Sequence, residues 1–371
     1  MPIYKTKDKN KQGQSRYNVR INYTDSFGAH KQLTRSAWGL SAAKELERQL
    51  SQQTNEKNIV LGITVQQLYE EFLNSSQSEI RRSTIRGYVT NFTNHILPVL
   101  GNQRLTSLNV RMLNNWKNYI NSKPISLVTK KNIYGALRVV LNYAVKLEYI
   151  PSNPLLKVGN FKDSLYQKPE MQFYTPDEFK AFIAAALTAR QESGYYDYYI
   201  FFMLRYYTGA RKGELHALRW NCIDGNKMYI KRSISQKIKG DDVETPPKNK
   251  SSIRTVQLPD PMLNALKIQK ENQQQKIKDW NENRFICGYY RPLRDTAIEN
   301  ENKKYAAMSG VKKIRIHDFR HSHASLLINA GINALEVAHR LGHSTVDQTL
   351  KTYSHLFPTE ADKALNVLNN I

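Results

Sequence analysis

The chain has 371 residues, enough for two or three domains, and its 55 Lys and Arg against 32 Asp and Glu give a formal net charge of +23. This excess favours a polyanionic partner, and nucleic acid is the first candidate. The two cysteines form no C-x-x-C pair and no short Cys/His ligand spacing, which argues against a disulfide scaffold or a zinc finger. No apolar run approaches the ~20 residues that span a bilayer, and the N-terminus lacks a secretory apolar core, so we expect a cytoplasmic protein with no membrane partner.

The first residues of the chain predict a small module of strands and one helix. Apolar and polar residues alternate over 17–23, which is the pattern of a half-buried strand. Residues 25–28 predict a turn and residues 31–35 a return strand. Ser41 is placed to cap a helix that runs to about Leu50.

Positive charge is concentrated in this module. Up to Arg35 it has eight Lys or Arg and two Asp, a net charge of +6. Such a ribbon fits a DNA groove, while a small sheet with a solvated basic face explains the same residues equally well. The candidate DNA contacts of the module are Arg16, Arg20 and Lys31.

The middle of the chain predicts a helical bundle. Residues 51–58 are polar and aperiodic and predict a linker. From Thr64 to about Tyr149 apolar residues recur at helical spacing, so that four helices can bury a small core. Residues 63–160 have twelve basic and four acidic side chains, a net charge of +8. The cations at predicted helix starts, where phosphates bind readily, are Arg81, Arg82, Arg86, Lys130 and Lys131.

A third part of the chain begins after residues 151–170, which contain three prolines and predict a second linker. In the stretch 175–178, Thr175 suits an N-cap, a proline follows, and Glu178 completes a capping box. A strongly apolar helical region covers 198–218. Further on, 228–234 and 253–258 predict strands joined by a lysine-rich hairpin.

Two arginines suggest phosphodiester chemistry in this third part. Breaking a phosphodiester needs a nucleophile, neutralisation of the non-bridging oxygens and a proton for the leaving oxygen. Arginine suits the second task because its planar fork stays charged and binds two oxygens. Arg211 lies in the stretch TGARKGEL, where Glu214 is placed to orient it, and Arg320 lies in HDFR.

The proton carriers and the nucleophile follow in order. His317 is a candidate base, since imidazole exchanges protons near neutral pH. His343, in LGHS, can donate to a phosphate oxygen. Lys248 and Lys250, on the predicted hairpin, can each protonate a leaving hydroxyl. Tyr353 is the candidate nucleophile, which needs a base or a positive field because the pKa of tyrosine is ordinarily about 10.

Neither a metal nor a nucleotide cofactor is expected. The neighbouring His321 and His323 have no Asp, Glu or Cys partners at ligand spacing. A phosphotyrosine product would conserve the energy of the cut strand, and the chain contains no G-x-x-x-x-G-K-[ST] motif, so rejoining would require no ATP.

The ordered set formed by Arg211, Lys248, His317, Arg320, His343 and Tyr353 resembles the catalytic set of the tyrosine recombinases, the phage-integrase family, and above all integrases of Gram-positive prophages and conjugative transposons. The resemblance implies an α+β fold, mainly α with small β-sheets. It further implies a β-rich arm-site DNA-binding module over 1–55, a helical core-site DNA-binding domain over 63–155 and a mixed catalytic domain over 170–358. A C-terminal tail helix over 359–371 has a narrow apolar face, which either packs on its own domain or, as the resemblance implies, docks onto a neighbouring subunit.

The resemblance also implies a role for each residue. Tyr353 would attack the scissile phosphate and form a 3′-phosphotyrosine, with His317 as base. Arg211, Arg320 and His343 would bind the non-bridging oxygens. Lys248 would be the general acid, preferred over Lys250 because the family's lysine precedes a stretch like SSIRTV.

The implied partners are double-stranded DNA attachment sites of core and arm type, bound by a homotetramer. An excision factor and a host DNA-bending protein are further expected partners, in the nucleoid of a bacterial cytoplasm. Two rival functions remain open. One is a type IB-like topoisomerase, which shares the nucleophile chemistry, and the other is a DNA-binding regulator with an inactive site.

Overall fold

The alternating residues near the N-terminus form the central strand of an antiparallel sheet. In this computed structural model the described residues are 3–10, 12–24, 30–76, 79–163, 170–193, 196–236, 242–245, 252–357 and 368. The strands are β1 (Ile3–Lys9), β2 (Ser15–Thr24) and β3 (His30–Trp38), in the order β1-β2-β3. The predicted strands are confirmed, and the predicted turn at 25–28 lies outside the described residues.

Helix α1 (Leu40–Gly62) covers one face of this sheet and buries Val19 against Ala43. The helix continues through 51–58, so the prediction of a linker there is wrong. No proline or glycine interrupts the chain between Leu40 and Gly62, and Gln, Glu and Lys all favour a helix. The helix begins after Gly39 rather than with Ser41 as its cap.

A helical bundle follows, as predicted. Its elements are α2 (Val65–Ser76), α3 (Arg82–Asn91), a π-helical turn (Phe92–Ile96), α4 (Leu97–Leu100), α5 (Val110–Ser122), α6 (Leu127–Lys146) and α7 (Leu155–Val158). Asn109 caps α5 by accepting from Met112 N, and Ser126 caps α6 by accepting from Thr129 N. Trp116 lies in the buried core of the bundle.

The second predicted linker is also wrong in its first part. Leu155 is fully buried and Phe161 is 3% exposed, and both pack in the core of the bundle. Lys117 Nζ donates to the carbonyls of Val158 at 3.2 Å and Gly159 at 3.0 Å. The burial of these two apolar side chains outweighs the proline-rich composition, and the bundle therefore extends to residue 161.

Contacts divide the chain into two units, residues 1–167 and 168–371. The helices of the second unit are α8 (Pro176–Ser193), α9 (Asp197–Thr208), α10 (Lys212–His216), α11 (Asp260–Lys276), α12 (Asp295–Ser309), α13 (Asp318–Asn329), α14 (Ala334–Leu341) and α15 (Val346–Tyr353). The predicted capping box is confirmed, since Thr175 N donates to Glu178 Oε2 at 2.8 Å and Glu178 N donates to Thr175 Oγ1 at 3.2 Å.

The second unit also contains short strands. They are β4 (Ile223–Asp224), β5 (Lys227–Ile230), β6 (Ser233–Ser235), β7 (Val243–Thr245) and β8 (Arg254–Gln257). Antiparallel pairing gives the orders β4-β5-β8 and β6-β7. Together with the predominance of helices, these small sheets confirm the α+β prediction.

The predicted helical region over 198–218 is two helices instead of one. Thr208 ends α9, and Gly209 turns the chain with a φ of +61°. A side chain at that glycine would place its Cβ 2.7 Å from His323 Cδ2, so only glycine fits the turn. The turn places Arg211 immediately before α10. Among the helices of the described residues, none is both long and apolar enough to cross a bilayer.

Candidate active site

Arg211 is the N-cap residue of α10 and lies immediately before its first residue. Its backbone N–H donates to Glu214 Oε2 at 2.7 Å, and its Nη1 donates to Glu214 Oε1 at 2.9 Å. Glu214 therefore fixes both the first turn of the helix and the direction of the guanidinium. The structure thus contains the contact between these residues that the sequence predicts.

Arg320 reaches the same place from α13. Its Nη1 donates to Gly209 O at 2.8 Å and its Nη2 to Leu341 O at 2.7 Å. Arg211 Nη2 donates to the next carbonyl of the chain, Gly342 O, at 3.1 Å. The two guanidinium groups therefore converge on consecutive carbonyls at the end of α14.

The electrostatics of this pair favour an anion. Burial, followed by the positive charge of Arg211, lowers the pKa of Arg320 to about 9. Two cations that are close together and partly removed from water repel each other. A phosphate group would relieve that repulsion, and guanidinium groups bind its oxygens in pairs.

His343 follows directly on the two carbonyls. Its Nδ1 lies 2.8 Å from the hydroxyl of Thr349, which is fully buried. Burial first, and then the charges of Arg320 and Arg211, lower the pKa of His343 to about 4. The ring is therefore neutral at neutral pH. In the tautomer in which Thr349 donates to Nδ1, Nε2 carries the proton and can donate to an anion.

Tyr353 is the last residue of α15 and is 1% exposed. It packs with Ala324 and Leu341, and its hydroxyl lies 2.8 Å from Nδ1 of His321. Burial raises the pKa of Tyr353 to about 12, although the charge of Arg320 acts in the opposite direction. The hydroxyl is therefore protonated at neutral pH.

His317 lies immediately before α13 and is exposed. Its ring meets that of His321 edge to face, with centroids 5.2 Å apart. Within the described part of the chain its side chain forms no hydrogen bond. The histidine that touches the tyrosine is therefore His321, which the sequence analysis considered only as a metal ligand.

Arg254 is a second residue that the sequence analysis missed. It extends from β8 and pairs with Glu214, with Nη2 2.9 Å from Oε2. Its Nε donates to Arg340 O at 2.8 Å, close to the end of α14. In β8 Arg254 is buried, as is Val256 two residues later on the same face of the strand. An arginine on the buried face of a predicted strand was therefore the signal in the sequence.

Arg205 is fully buried in α9 and was also missed. Its guanidinium donates to the carbonyls of Ala210 and Ile316. These are the residues before Arg211 and His317, so one side chain connects the two segments. An arginine inside a strongly apolar helix was the signal in the sequence.

The other predicted residues are distributed as follows. Lys248 and Lys250 lie outside the described residues. The predicted tail over 359–371 also lies outside them, except for Leu368. Lys130 Nζ donates to Asn121 O at 2.8 Å within the bundle. The cations Arg81, Arg82, Arg86 and Lys131 are exposed.

Two of the three cations in the N-terminal sheet share a face. Arg16 and Arg20 lie on the face of β2 opposite to that of the buried Val19, and Arg20 pairs with Thr34 of β3. Lys31 lies on the same face of β3 as Leu33, which packs toward α1. The sheet therefore does not bring Lys31 onto the open face with the two arginines.

His323 has a structural environment. It is 2% exposed, its Nδ1 lies 2.7 Å from Tyr206 O, and its Nε2 accepts from Arg340 Nε at 3.1 Å. Both ring nitrogens are thus engaged within the protein. Among the described residues no group of three or more His, Cys, Asp or Glu is placed to hold a metal ion.

The structure brings together four of the predicted residues. Arg211 and Arg320 donate to the carbonyls of Gly342 and Leu341, which precede His343, and Tyr353 packs with Leu341. Donors of this kind stabilise the charge that develops on a phosphate during substitution.

The chain is similar to several known proteins. The model of the "Phage integrase family" matches residues 172–360, and that of the "Phage integrase, N-terminal SAM-like domain" matches residues 64–121. The ICEBs1 integrase of Bacillus subtilis (strain 168) is 26% identical over 369 residues, which cover 97% of this chain and 98% of that protein.

Solved structures show a similar fold. The Tn1549 transposon integrase in complex with transposon right-end DNA has a TM-score of 0.65 at 19% identity and covers 83% of this chain and 99% of its own. A lambda integrase tetramer bound to a Holliday junction has a TM-score of 0.56 at 18% identity, covering 93% and 96%.

Proposed function

Because the chain belongs to the phage integrase family, we propose that it is a site-specific tyrosine recombinase that integrates and excises a mobile genetic element. The observation that carries this proposal is the convergence of Arg211 and Arg320 on consecutive carbonyls beside His343, with Tyr353 within reach of the Arg320 charge. Its substrate is double-stranded DNA at attachment sites.

The proposed reaction is an exchange of phosphodiesters. Tyr353 Oη attacks the scissile phosphorus, the two arginines and His343 bind the non-bridging oxygens, and the 5′-oxygen leaves. Lys248 gives the leaving oxygen its proton, and the family resemblance assigns the proton of Tyr353 to His317. The phosphotyrosine conserves the bond energy, so the reaction requires neither ATP nor a metal ion.

The proposed assembly is a homotetramer on DNA. It rests on analogy with the lambda integrase, whose structure is that of a tetramer bound to a Holliday junction. The exposed arginines of α3 and the open face of the N-terminal sheet are the proposed contacts with core and arm DNA. An excision factor and a host DNA-bending protein complete the proposed set of partners.

A covalent adduct tests the proposal. The full chain is incubated, with EDTA present, with a nicked duplex taken from the DNA that flanks its own gene, and the products are separated on a denaturing gel. A nick beside the scissile phosphate releases a short fragment and traps the adduct. We expect an adduct with the wild type and none with Tyr353→Phe.

The same experiment separates the rival functions. A regulator with an inactive site gives no adduct with any substrate. A topoisomerase forms the adduct and relaxes supercoiled DNA, but yields no joined product from two different duplexes. Recombinant products from two duplexes support the recombinase and exclude both rivals.

A further inference from the structure

Tyr353 and His321 are in direct contact. The hydroxyl lies 2.8 Å from Nδ1, which is hydrogen-bond distance, and the rings are tilted by 67° with centroids 5.5 Å apart. Tyr353 is 1% exposed and the His321 side chain 14%. The reacting atom of the proposed nucleophile is therefore bound to an imidazole outside the predicted catalytic set.

The other side of the same ring faces a carboxylate. His321 Nε2 lies 4.0 Å from Asp318 Oδ1, three residues earlier on α13, and Asp318 is 1% exposed. Arg315 fixes that carboxylate, since its Nε donates to Oδ2 at 3.0 Å and its Nη2 to Oδ1 at 2.8 Å. The imidazole thus lies between a hydroxyl and a buried negative charge.

His321 is in the form that can accept a proton. Burial lowers its pKa to about 4, while the charge of Asp318 acts to raise it. A neutral ring with an unprotonated Nδ1 accepts from the hydroxyl and carries its own proton on Nε2, toward Asp318. The charged or titratable groups around it are Asp318, Arg315, Arg320, Arg205, His317, His343 and Tyr353.

Resting on the proposed function, we propose that His321 is the residue that accepts the proton of Tyr353 during DNA cleavage, with Asp318 as the positioning residue that stabilises the resulting imidazolium. The Oη–H proton moves to Nδ1 as the Oη–P bond forms. The P–O5′ bond breaks, and the general acid protonates the 5′-oxygen. On rejoining, the 5′-hydroxyl attacks the phosphorus and returns its proton to the general acid, while the P–Oη bond breaks and His321 returns its proton to Tyr353 Oη.

The geometry favours His321 over His317 for this step. His321 touches the hydroxyl, whereas His317 contacts the ring of His321 and is exposed. A general base must be within hydrogen-bond reach of the proton that it removes. The imidazole also lies between a hydroxyl and a carboxylate, as it does in hydrolases that activate a serine hydroxyl.

Substitution of His321 tests the proposal with the nicked duplex described above. Asn places an amide oxygen where Nδ1 lies, so His321→Asn keeps an acceptor for the hydrogen bond but cannot take the proton. We expect His321→Asn and His321→Ala to form the adduct roughly 10²- to 10⁴-fold more slowly at pH 7, the usual range for a lost general base. Added imidazole restores the rate of His321→Ala and leaves that of the exposed control His339→Ala unchanged.

A second substrate distinguishes the base from the acid. When sulfur replaces the leaving 5′-oxygen, the leaving group no longer needs a proton. We expect His321→Asn to remain slow on this substrate, and Lys248→Ala to approach the wild-type rate.

Wild-type rates for His321→Asn, or an absence of imidazole rescue in folded, DNA-binding His321→Ala, would overturn the proposal. Faster cleavage by His321→Ala would also overturn it, because His321 would then only restrain the tyrosine. If the wild type itself forms no adduct, the proposed function fails instead, and the two failures are therefore distinct.

Discussion

Arg254 and Glu214 form a two-point ion pair in which both side chains are buried. Nη2 lies 2.9 Å from Oε2 and Nη1 lies 3.2 Å from Oε1, with side-chain exposures of 1% and 4%. Because Glu214 also binds Arg211, one carboxylate connects β8 to the first arginine of the site. Burial acts to raise the pKa of Glu214, but the charges and hydrogen bonds of Arg254 and Arg211 outweigh it and lower that pKa.

Removal of Arg254 should therefore destabilise the second unit. Arg254→Leu leaves a buried carboxylate with one partner fewer, and breaking a buried pair costs about 3–5 kcal/mol. Hydrogen exchange of residues 168–371 in the full chain, measured at increasing urea, reports the free energy of unfolding. Lys180→Ala is the control, since its ion pair with Asp177 is exposed on both sides.

The pH dependence identifies the carboxylate as the cause. A group whose pKa is lower in the folded state stabilises the fold above its unfolded pKa, about 4.5 for Glu214, and this contribution is lost as the pH falls further. The difference between wild type and Arg254→Leu should shrink below that pH. A difference that persists unchanged in acid would assign the loss to packing.

Gly342 should tolerate a side chain less well than Gly310. Both glycines end a helix with nearly equal φ, +68° and +69°, so alanine at either position costs about 1–2 kcal/mol in backbone strain. At Gly342 the new Cβ would also lie 2.8 Å from Arg254 Nη1, whereas at Gly310 no heavy atom of the described residues, chain neighbours apart, lies within 4 Å of it. Because Arg211 binds the Gly342 carbonyl, we expect Gly342→Ala alone to slow adduct formation. Equal rates for the two variants would contradict this.

The hydroxyl of Thr349 should matter for the reaction through His343. Thr349→Val removes the hydrogen bond to Nδ1 and leaves the ring free to turn. A hydrogen bond worth about 1 kcal/mol corresponds to roughly a fivefold slower adduct formation at unchanged DNA affinity. Thr352→Val is the matched control, because among the described residues its hydroxyl bonds to Gln348 O within the same helix, α15. A similar loss in both variants would point to an effect on the helix.

The local pattern of the sequence predicted the helices and strands that carry the site. It did not predict which side chains of different elements contact each other. The capping box at Thr175 follows from a local rule that involves four residues. The pairing of Arg254 with Glu214 joins residues 40 positions apart, and no local spacing encodes it. The contact of His321 with Tyr353 depends likewise on how α13 and α15 pack.

The two wrong linkers have the same origin. Polar composition without glycine or proline is compatible with a loop and with an exposed helix. At the first predicted linker the structure has the helix, because α1 continues through these residues. At the second linker, Leu155 and Phe161 are buried by side chains distant in sequence. Burial depends on these tertiary contacts, which composition does not reveal.

Arg20 should contribute more to DNA binding than Lys31. It lies on the open face of the N-terminal sheet, with its guanidinium 5.3 Å from the centre of the Tyr4 ring. Arg20→Ala should weaken binding of the full chain to DNA from the ends of the element by about 1–3 kcal/mol, the range of a base contact. Lys31→Ala removes one positive charge from the opposite face of the sheet and serves as the control. Equal losses at several salt concentrations would mean that only net charge matters.

Acid should destabilise the second unit through His323. Its Nε2 accepts from Arg340, so protonation would place a second positive donor against a guanidinium. Burial first, and then the charge of Arg340, lower the pKa of His323 from 6.5 to about 3. Since the unfolded chain takes up the proton first, stability is complete above pH 6.5 and falls between pH 6.5 and 3, by at most about 1.4 kcal/mol per pH unit for this site. His323→Asn, whose amide can still donate to Tyr206 O, should be less stable at pH 7 but show a flatter dependence over that range. Urea unfolding of both proteins at a series of pH values measures the two slopes, and parallel curves would show that other groups cause the acid sensitivity.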